Sequence, residues 1–348
     1  MKRVIVILVI LAGLVLGSIY FLNRLLVQKQ ISLAGKKPVL IGFSMGTTRE
    51  ERWFKDRDLF VQKANELGAE VLVALSDYDV AKQISQIENL ISQGVGVIVV
   101  IPSDSEKIQP AIEKANQAGV KVIAYDRLIK NSDVDLYISF DNVKVGELEA
   151  QSILSVVGKG NFAYIGGSPT DNNAYLLKEG TMNILQPKIQ DGEIKLVIDK
   201  FMPDWKQEEA YKTMKDYLDS GQTIDAVIAA NDGTASGVIQ ALKGKKLDGK
   251  IPVSGQDAEL SATQRIVAGT QTSTVYKPIS SLAYRAAEIA VAMANGRVPE
   301  TTDSINNGKI NVPSYFLEPI IVNKRNMMGT VVKDGFHTYE EVYKSVIK

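Results

Sequence analysis

From Lys37 onward the chain alternates short apolar runs with stretches of helical periodicity. The runs have strand length: PVLIGF, EVLVAL, GVIVVI, KVIAY and LYISF, then NFAYIGG, IKLVID, DAVIAA, IPVSG and TSTVY. Amphipathic segments follow them, such as Glu51 to Leu67, Val80 to Gln93 and Glu106 to Ala118. Near-continuous apolar strands alternating with helices predict parallel sheets covered on both faces, because a strand with one wet face would read apolar-polar-apolar. The period is that of a βα unit, not of a solenoid repeat. So long a stretch exceeds one comfortable core, and the expected fold is α/β with two doubly wound parallel-sheet lobes. No low-complexity linker separates the two sets of strands, so the chain is expected to pass between lobes through short hinges.

The beginning of the chain breaks this pattern. Val4 to Leu22 is a run of about 19 uncharged residues, which as a helix would span roughly 28 Å, close to the thickness of a bilayer's hydrocarbon core. A cleaved leader would have a shorter apolar run and a nearby small-x-small site; here the candidate, Ser32-Leu33-Ala34, lies beyond Arg24 and Lys29. The expectation is an uncleaved single-pass anchor, with residues 1–3 as a cytoplasmic stub and 23–36 as a juxtamembrane linker, and a cleaved signal as the alternative. Lys2 and Arg3 on one flank nearly balance the basic residues on the other. The lobes are expected outside the cell membrane. There is no cysteine in the chain to carry a lipid tether.

Composition narrows the function. The 40 basic residues equal the 40 acidic ones, and no basic run is interleaved with aromatics, so nothing points to nucleic acid. With a single histidine, His337, and no cysteine, there is no His/Cys cluster for metal chemistry. No G-x-S-x-G nucleophile motif occurs, and IGGSP lacks the lysine of a phosphate-binding loop. Neither an enzyme nor a cofactor is expected.

Ligands of open parallel sheets bind outside the carboxyl ends of the strands. The segments there are TTREERWFKDRD, YDR, GGSPTDNN, DKFMPDWKQ, ANDGT, GQDAE and VYKP. They hold both tryptophans of the chain, Trp53 and Trp205, together with Arg52, Asp126, Arg127, Asp171, Asn173, Asn231, Asp257 and Lys277. Carboxylates, amides and guanidinium groups satisfy hydroxyls, while aromatic rings pack on the C–H faces of a sugar. Each residue also has a plainer reading. Arg52 and Asp56 suit a surface helix pair, and the tryptophans suit packing anchors. Asp126 and Arg127 suit a turn residue and its ion-pair partner. Asp171, Asn172, Asn173 and Asp232 suit helix N-caps, as does Asp257 for the helix after it, and Lys277 suits a solvated side chain. The set persuades more than its members, since independent caps would not gather both tryptophans at the same edge.

At ERWFKDRD, SQIENLI, AYDRLI, YISFDNVKVGELEA, GGSPTDNNA, SGQDAEL, AGTQTSTVYKPI and VKDGFH the chain resembles the periplasmic-type sugar-binding proteins, and among them the D-xylose-binding members of bacterial importers. The resemblance runs from about Lys37 to His337. Position by position, it implies a pentose site at Arg52, Trp53, Asp126, Arg127, Asp171, Asn173, Trp205, Asn231, Asp257 and Lys277. It also implies crossovers near Phe140 and Asp141, near Tyr276 and Lys277, and around Asn306 to Val312, giving lobe 1 as 37–140 plus 277–305 and lobe 2 as 141–276 plus 306–348. The chain departs from the family at FSMGTTREERW, more neutral and smaller than the family's acidic version, and at its anchor-like prefix. A sugar-responsive transcription regulator would share the lobes but would carry a helix-turn-helix where the apolar prefix stands.

The expected mechanism is a clamp that closes on D-xylose or a related monosaccharide held between Trp53 and Trp205. Two partners suit such a clamp. A membrane-held protein suits a sensor histidine kinase, which is the expected partner; the alternative is the permease of an ABC-type importer.

Overall fold

The computed structural model describes residues 38–344 and, before them, only Gly17, Tyr20, Phe21 and Arg24. The expected anchor at 4–22 otherwise lies outside the described residues, as do the stub and nearly all of the linker. Among the described residues no helix is long and apolar enough to cross a membrane.

The first half of the chain builds β1 (Val39–Met45), α1 (Arg52–Glu66), β2 (Ala69–Leu75), α2 (Val80–Ser92), β3 (Val97–Ile101), α3 (Gln109–Gln117), β4 (Lys121–Tyr125) and β5 (Leu136–Phe140). The second builds α4 (Asn142–Leu154), β6 (Gly160–Gly166), α5 (Asn172–Gln190), β7 (Ile194–Phe201), α6 (Gln207–Asp219), β8 (Ala226–Ala229), α7 (Asp232–Gly244), α8 (Leu260–Ala268) and β9 (Thr274–Tyr276). The chain ends with α9 (Ile279–Ala294), β10 (Asp303–Asn306), β11 (Asn311–Leu317) and β12 (Ile320–Val322).

Lobe 1 is a sheet of order β10-β11-β5-β4-β3-β1-β2, parallel except for the β10–β11 hairpin at its edge. Its central strand shows why the apolar runs are unbroken. Val97, Val99 and Ile101 point to one face, against Phe60 of α1 and Leu282 of α9, while Ile98 and Val100 point to the other, against Ile87 of α2 and Ile112 of α3. Lobe 2 repeats the plan around β7-β6-β8: Ala163 and Ile165 meet α6 and α7, Phe162 and Tyr164 meet α4 and α5. Each large apolar side chain so buried contributes about 1.5–3 kcal/mol. The packing of α4 on α5 depends on two glycines, since a Cβ on Gly146 would lie 2.0 Å from the Leu177 carbonyl oxygen and one on Gly180 1.9 Å from that of Val143. IPVSG, expected to be a strand, contributes only a bridge from Val253 to Val227; Pro252 has no N–H to extend the ladder.

The chain crosses between lobes after β5, after β9 and after β11. The third crossing corrects the expectation of 306–312. Those residues belong to a hairpin in lobe 1, with Gly308 at φ +97° and Asn307 Nδ2 donating to the carbonyls of Ile129 and Ser132 at 3.0 and 2.7 Å. β11 then pairs with β5, Ser314 opposite Tyr137 and Leu317 opposite Phe140. The crossing therefore falls at Glu318–Pro319, and 306–317 joins lobe 1, not lobe 2. The Asn-Asn-Gly sequence is a hairpin signal, and the polar stretch reads as a crossing only if that signal is overlooked. Beyond it, Val322, Met327, Val331 and Val342 pack on Ile266 and Tyr276 of lobe 2.

Candidate functional site

The carboxyl ends of both sheets face each other across a cleft whose lips touch: Ser105 N donates to the Thr170 carbonyl at 2.9 Å, and Leu260 N to Glu51 Oε2 at 3.1 Å. Between the lobes lies a cavity lined by all ten residues expected from the strand ends, and also by Glu50 and Gln256.

Arg52 opens α1, directly after the loop that leaves β1. Its Nε lies 3.0 Å from Asp56 Oδ2, its Nη2 2.9 Å from Asp126 Oδ2 and its Nη1 3.5 Å from Asp257 Oδ1. The i,i+4 pair with Asp56 exists, but not on the surface: Arg52 is 2% exposed and Asp56 is fully buried. Tyr125 OH also donates to Asp56. Asp126 sits at φ +62°, a region that costs a residue with a Cβ energy unless its surroundings hold it there. The hold is visible in its carbonyl, which accepts from Ser139 Oγ at 2.8 Å, Tyr137 OH at 3.0 Å and Asn173 Nδ2 at 3.0 Å. Burial pushes the Asp126 carboxyl up, but Arg52, Lys277 and Arg127 more than reverse this and leave it below its ordinary value. Trp53 lies under two guanidinium groups, Arg52 at 4.5 Å and Arg127 at 5.4 Å from the ring centroid.

In lobe 2, Asp171 caps α5, its Oδ1 accepting from Asn173 N at 3.0 Å. Its other oxygen takes Arg127 Nε from lobe 1 at 2.8 Å and Trp205 Nε1 at 3.1 Å. Burial nevertheless holds the Asp171 carboxyl above its ordinary value, with Arg127 acting against it. Trp205 lies in a short turn before α6 at φ +57°, and its indole lies so close to Gly167 that a Cβ there would be 2.1 Å from the ring. Asn231 caps α7 in a reciprocal box with Thr234. Asp257, at φ +90°, pairs with Lys277 Nζ at 2.9 Å at the second crossing.

The plainer readings divide. Asp171 is a cap as well as a cavity residue, while Asn172, Asn173 and Asp232 lie inside their helices and do not cap. Asp257 caps nothing; Glu259 precedes α8 without a side-chain cap. Lys277 is 4% exposed and therefore not solvated. Asp126 and Arg127 pair with Arg52 and Asp171, not with each other. The residues missed, Glu50 and Gln256, lie inside the segments TTREERWFKDRD and GQDAE already singled out, each a polar residue within two positions of a chosen one.

The arrangement offers three cations, four carboxylates and two indoles around a small enclosed space. Among the described residues no group of three or more His, Cys, Asp or Glu is placed to hold a metal ion. Such a lining suits a polar ligand, and the fold with its hinge crossings is that of a two-lobe binding protein.

The periplasmic binding protein domain matches residues 41–297, and the chain belongs to that family. It is 50% identical over 313 residues to the D-xylose-binding periplasmic protein of Haemophilus influenzae, covering 90% of this chain and 94% of that one. It is 36% identical to the multiple sugar-binding periplasmic receptor ChvE of Rhizobium radiobacter, over 87% and 92% of the two chains. Among solved structures it resembles an ABC transporter solute-binding protein from Clostridium phytofermentans with bound β-D-glucose, at a TM-score of 0.81 and 30% identity, covering 87% and 99%. Like these relatives, the chain is a binding protein and not an enzyme.

Proposed function

We propose that the chain is an extracytoplasmic D-xylose-binding protein and the solute-binding component of an ABC-type importer. The observation that carries the reading is the meeting of Arg52, Asp126, Asp171, Asn231, Asp257 and Lys277 with Trp53 and Trp205 around one cavity, in a chain half identical to D-xylose-binding periplasmic proteins. The sugar's ring faces would rest on the indoles. Its hydroxyls would bond the polar groups of both lobes, and neither lobe alone would satisfy them. Occupancy would thereby favour the closed form, which is what a permease must distinguish from the empty one.

The apolar prefix at 4–22 would hold this receptor at the membrane, since a chain without cysteine has no thioether tether. The sensor-kinase reading rests on that prefix alone, and the relatives favour the importer. Calorimetry on the full-length chain purified in detergent tests the ligand: D-xylose should bind one to one and more tightly than D-glucose or D-ribose, and equal affinity for all three would contradict the assignment. Co-purification from membranes tests the output, with permease subunits expected and a histidine kinase contradicting the importer role.

A further inference from the structure

Three of the four carboxylates of the cavity have cationic partners: Asp126 with Arg52, Asp171 with Arg127 and Asp257 with Lys277. Glu50, two residues before α1 and 6% exposed, has none among the described residues. Its Oε2 accepts from Trp53 Nε1, while its Oε1 is buried without a hydrogen-bond partner. Arg127 is near enough to oppose the upward push of burial on this carboxyl, yet it directs its own hydrogen bonds to Asp171 and Tyr78. A buried carboxylate oxygen is costly to leave unpaired. Because Trp53 holds Oε2, the carboxylate cannot turn away from the cavity without giving up that bond. Burial holds this carboxyl above its ordinary value, with Arg127 acting against it; in its carboxylate form it only accepts, so the partner Oε1 takes is a donor, and the donors a monosaccharide brings are hydroxyls.

We propose that Glu50 Oε1 is a further ligand contact, accepting a hydroxyl hydrogen of the bound sugar beside the edge of Trp53 and selecting for sugars that carry a hydroxyl there. The inference rests on the monosaccharide reading of the site. It assigns lobe 1 a selective contact in the loop where the chain departs from the family's pattern.

The test is calorimetry of the full-length wild type, Glu50→Leu and Glu50→Gln with D-xylose and its 1-, 2-, 3- and 4-deoxy derivatives. Glu50→Leu should bind D-xylose about 10- to 100-fold more weakly, the discrimination expected when a buried hydroxyl contact is lost. For one deoxy sugar, wild type and Glu50→Leu should bind alike, because the hydroxyl that Glu50 accepts is absent. Glu50→Gln, which keeps an acceptor for Trp53, should show a smaller loss with the same exception, and it decides the matter if the leucine variant fails to fold. An unchanged affinity for D-xylose, or the same loss on every sugar, would overturn the inference and leave Glu50 as a support for Trp53. Wild type that binds none of the sugars would overturn the monosaccharide reading itself.

Discussion

In lobe 1 the polar groups of the cleft belong to an ion-pair web: Arg52 joins Asp56, Asp126 and, across the cleft, Asp257, and the guanidinium groups of Arg52 and Arg127 lie over Trp53. In lobe 2 two of them, Asp171 at the start of α5 and Asn231 at the start of α7, are helix N-caps, and Trp205 is set on the bare backbone of Gly167. The sheets are alike, so the difference lies in how a polar group is kept in place once water is excluded. A web of charges holds its members by mutual attraction and collapses if one is removed. A cap is held by backbone N–H groups at the helix start and does not depend on its neighbours. Lobe 1 should therefore be sensitive to single deletions in both stability and binding, whereas lobe 2 should allow the two to be separated.

The largest effect should follow Arg52→Ala, which strands the buried carboxylates of Asp56 and Asp126. Urea unfolding should show a loss of about 3–5 kcal/mol, and calorimetry a fall in sugar affinity of about three orders of magnitude. A variant of ordinary stability would mean that the web is not what holds lobe 1. Next, Gly167→Ala should force the Trp205 indole toward the cavity. Affinity should drop about 10- to 100-fold, since small misplacements of a binding wall are costly, with a stability cost of about 1–3 kcal/mol from overpacking. Unchanged binding would show that Trp205 does not form the lobe 2 wall.

Asn231→Ser sharpens the contrast. Serine caps about as well as asparagine, so stability should stay within about 0.5 kcal/mol while sugar affinity falls about tenfold. The reverse outcome, a lower melting temperature with binding intact, would make Asn231 a cap and nothing more. The smallest effect concerns pH. Burial and the carboxylates of Asp232, Asp257 and Glu50 push the Glu259 carboxyl from an ordinary 4.5 up to about 8. An acid raised in the folded state binds its proton more tightly there, so its contribution is complete at low pH and is lost as pH rises from about 4.5 to about 8. Wild type should therefore lose a few °C more than Glu259→Gln between about pH 5 and pH 8. Parallel melting curves would remove Glu259 from the electrostatics of the cleft.

The strand ends were legible because parallel sheets demand unbroken apolar runs and place their ligands just beyond them; that rule alone points to Arg52, Asp126, Asp171 and Asn231. The plainer cap reading of Asp171 was not a rival, since one carboxylate oxygen caps the helix while the other faces Arg127 and Trp205. Backbone conformation was not legible. Asp126, Trp205 and Asp257 occupy left-handed geometry that their residue types do not announce, because tertiary hydrogen bonds and packing hold them there. Glu50 was not legible, because only burial shows one of its oxygens to be unpaired. The third crossing was misplaced where a hairpin and a lobe crossing look alike in polar sequence, and pairing of β11 with β5 resolves it.

The claim that both halves form one sugar site is tested most directly by a crystal structure of the protein saturated with D-xylose. The sugar should lie in the cavity with Trp53 and Trp205 on its faces, bonded to Arg52 and Asp126 from one lobe and to Asp171, Asn231 and Asp257 from the other. A sugar held by one lobe alone, or bound elsewhere, would contradict the account.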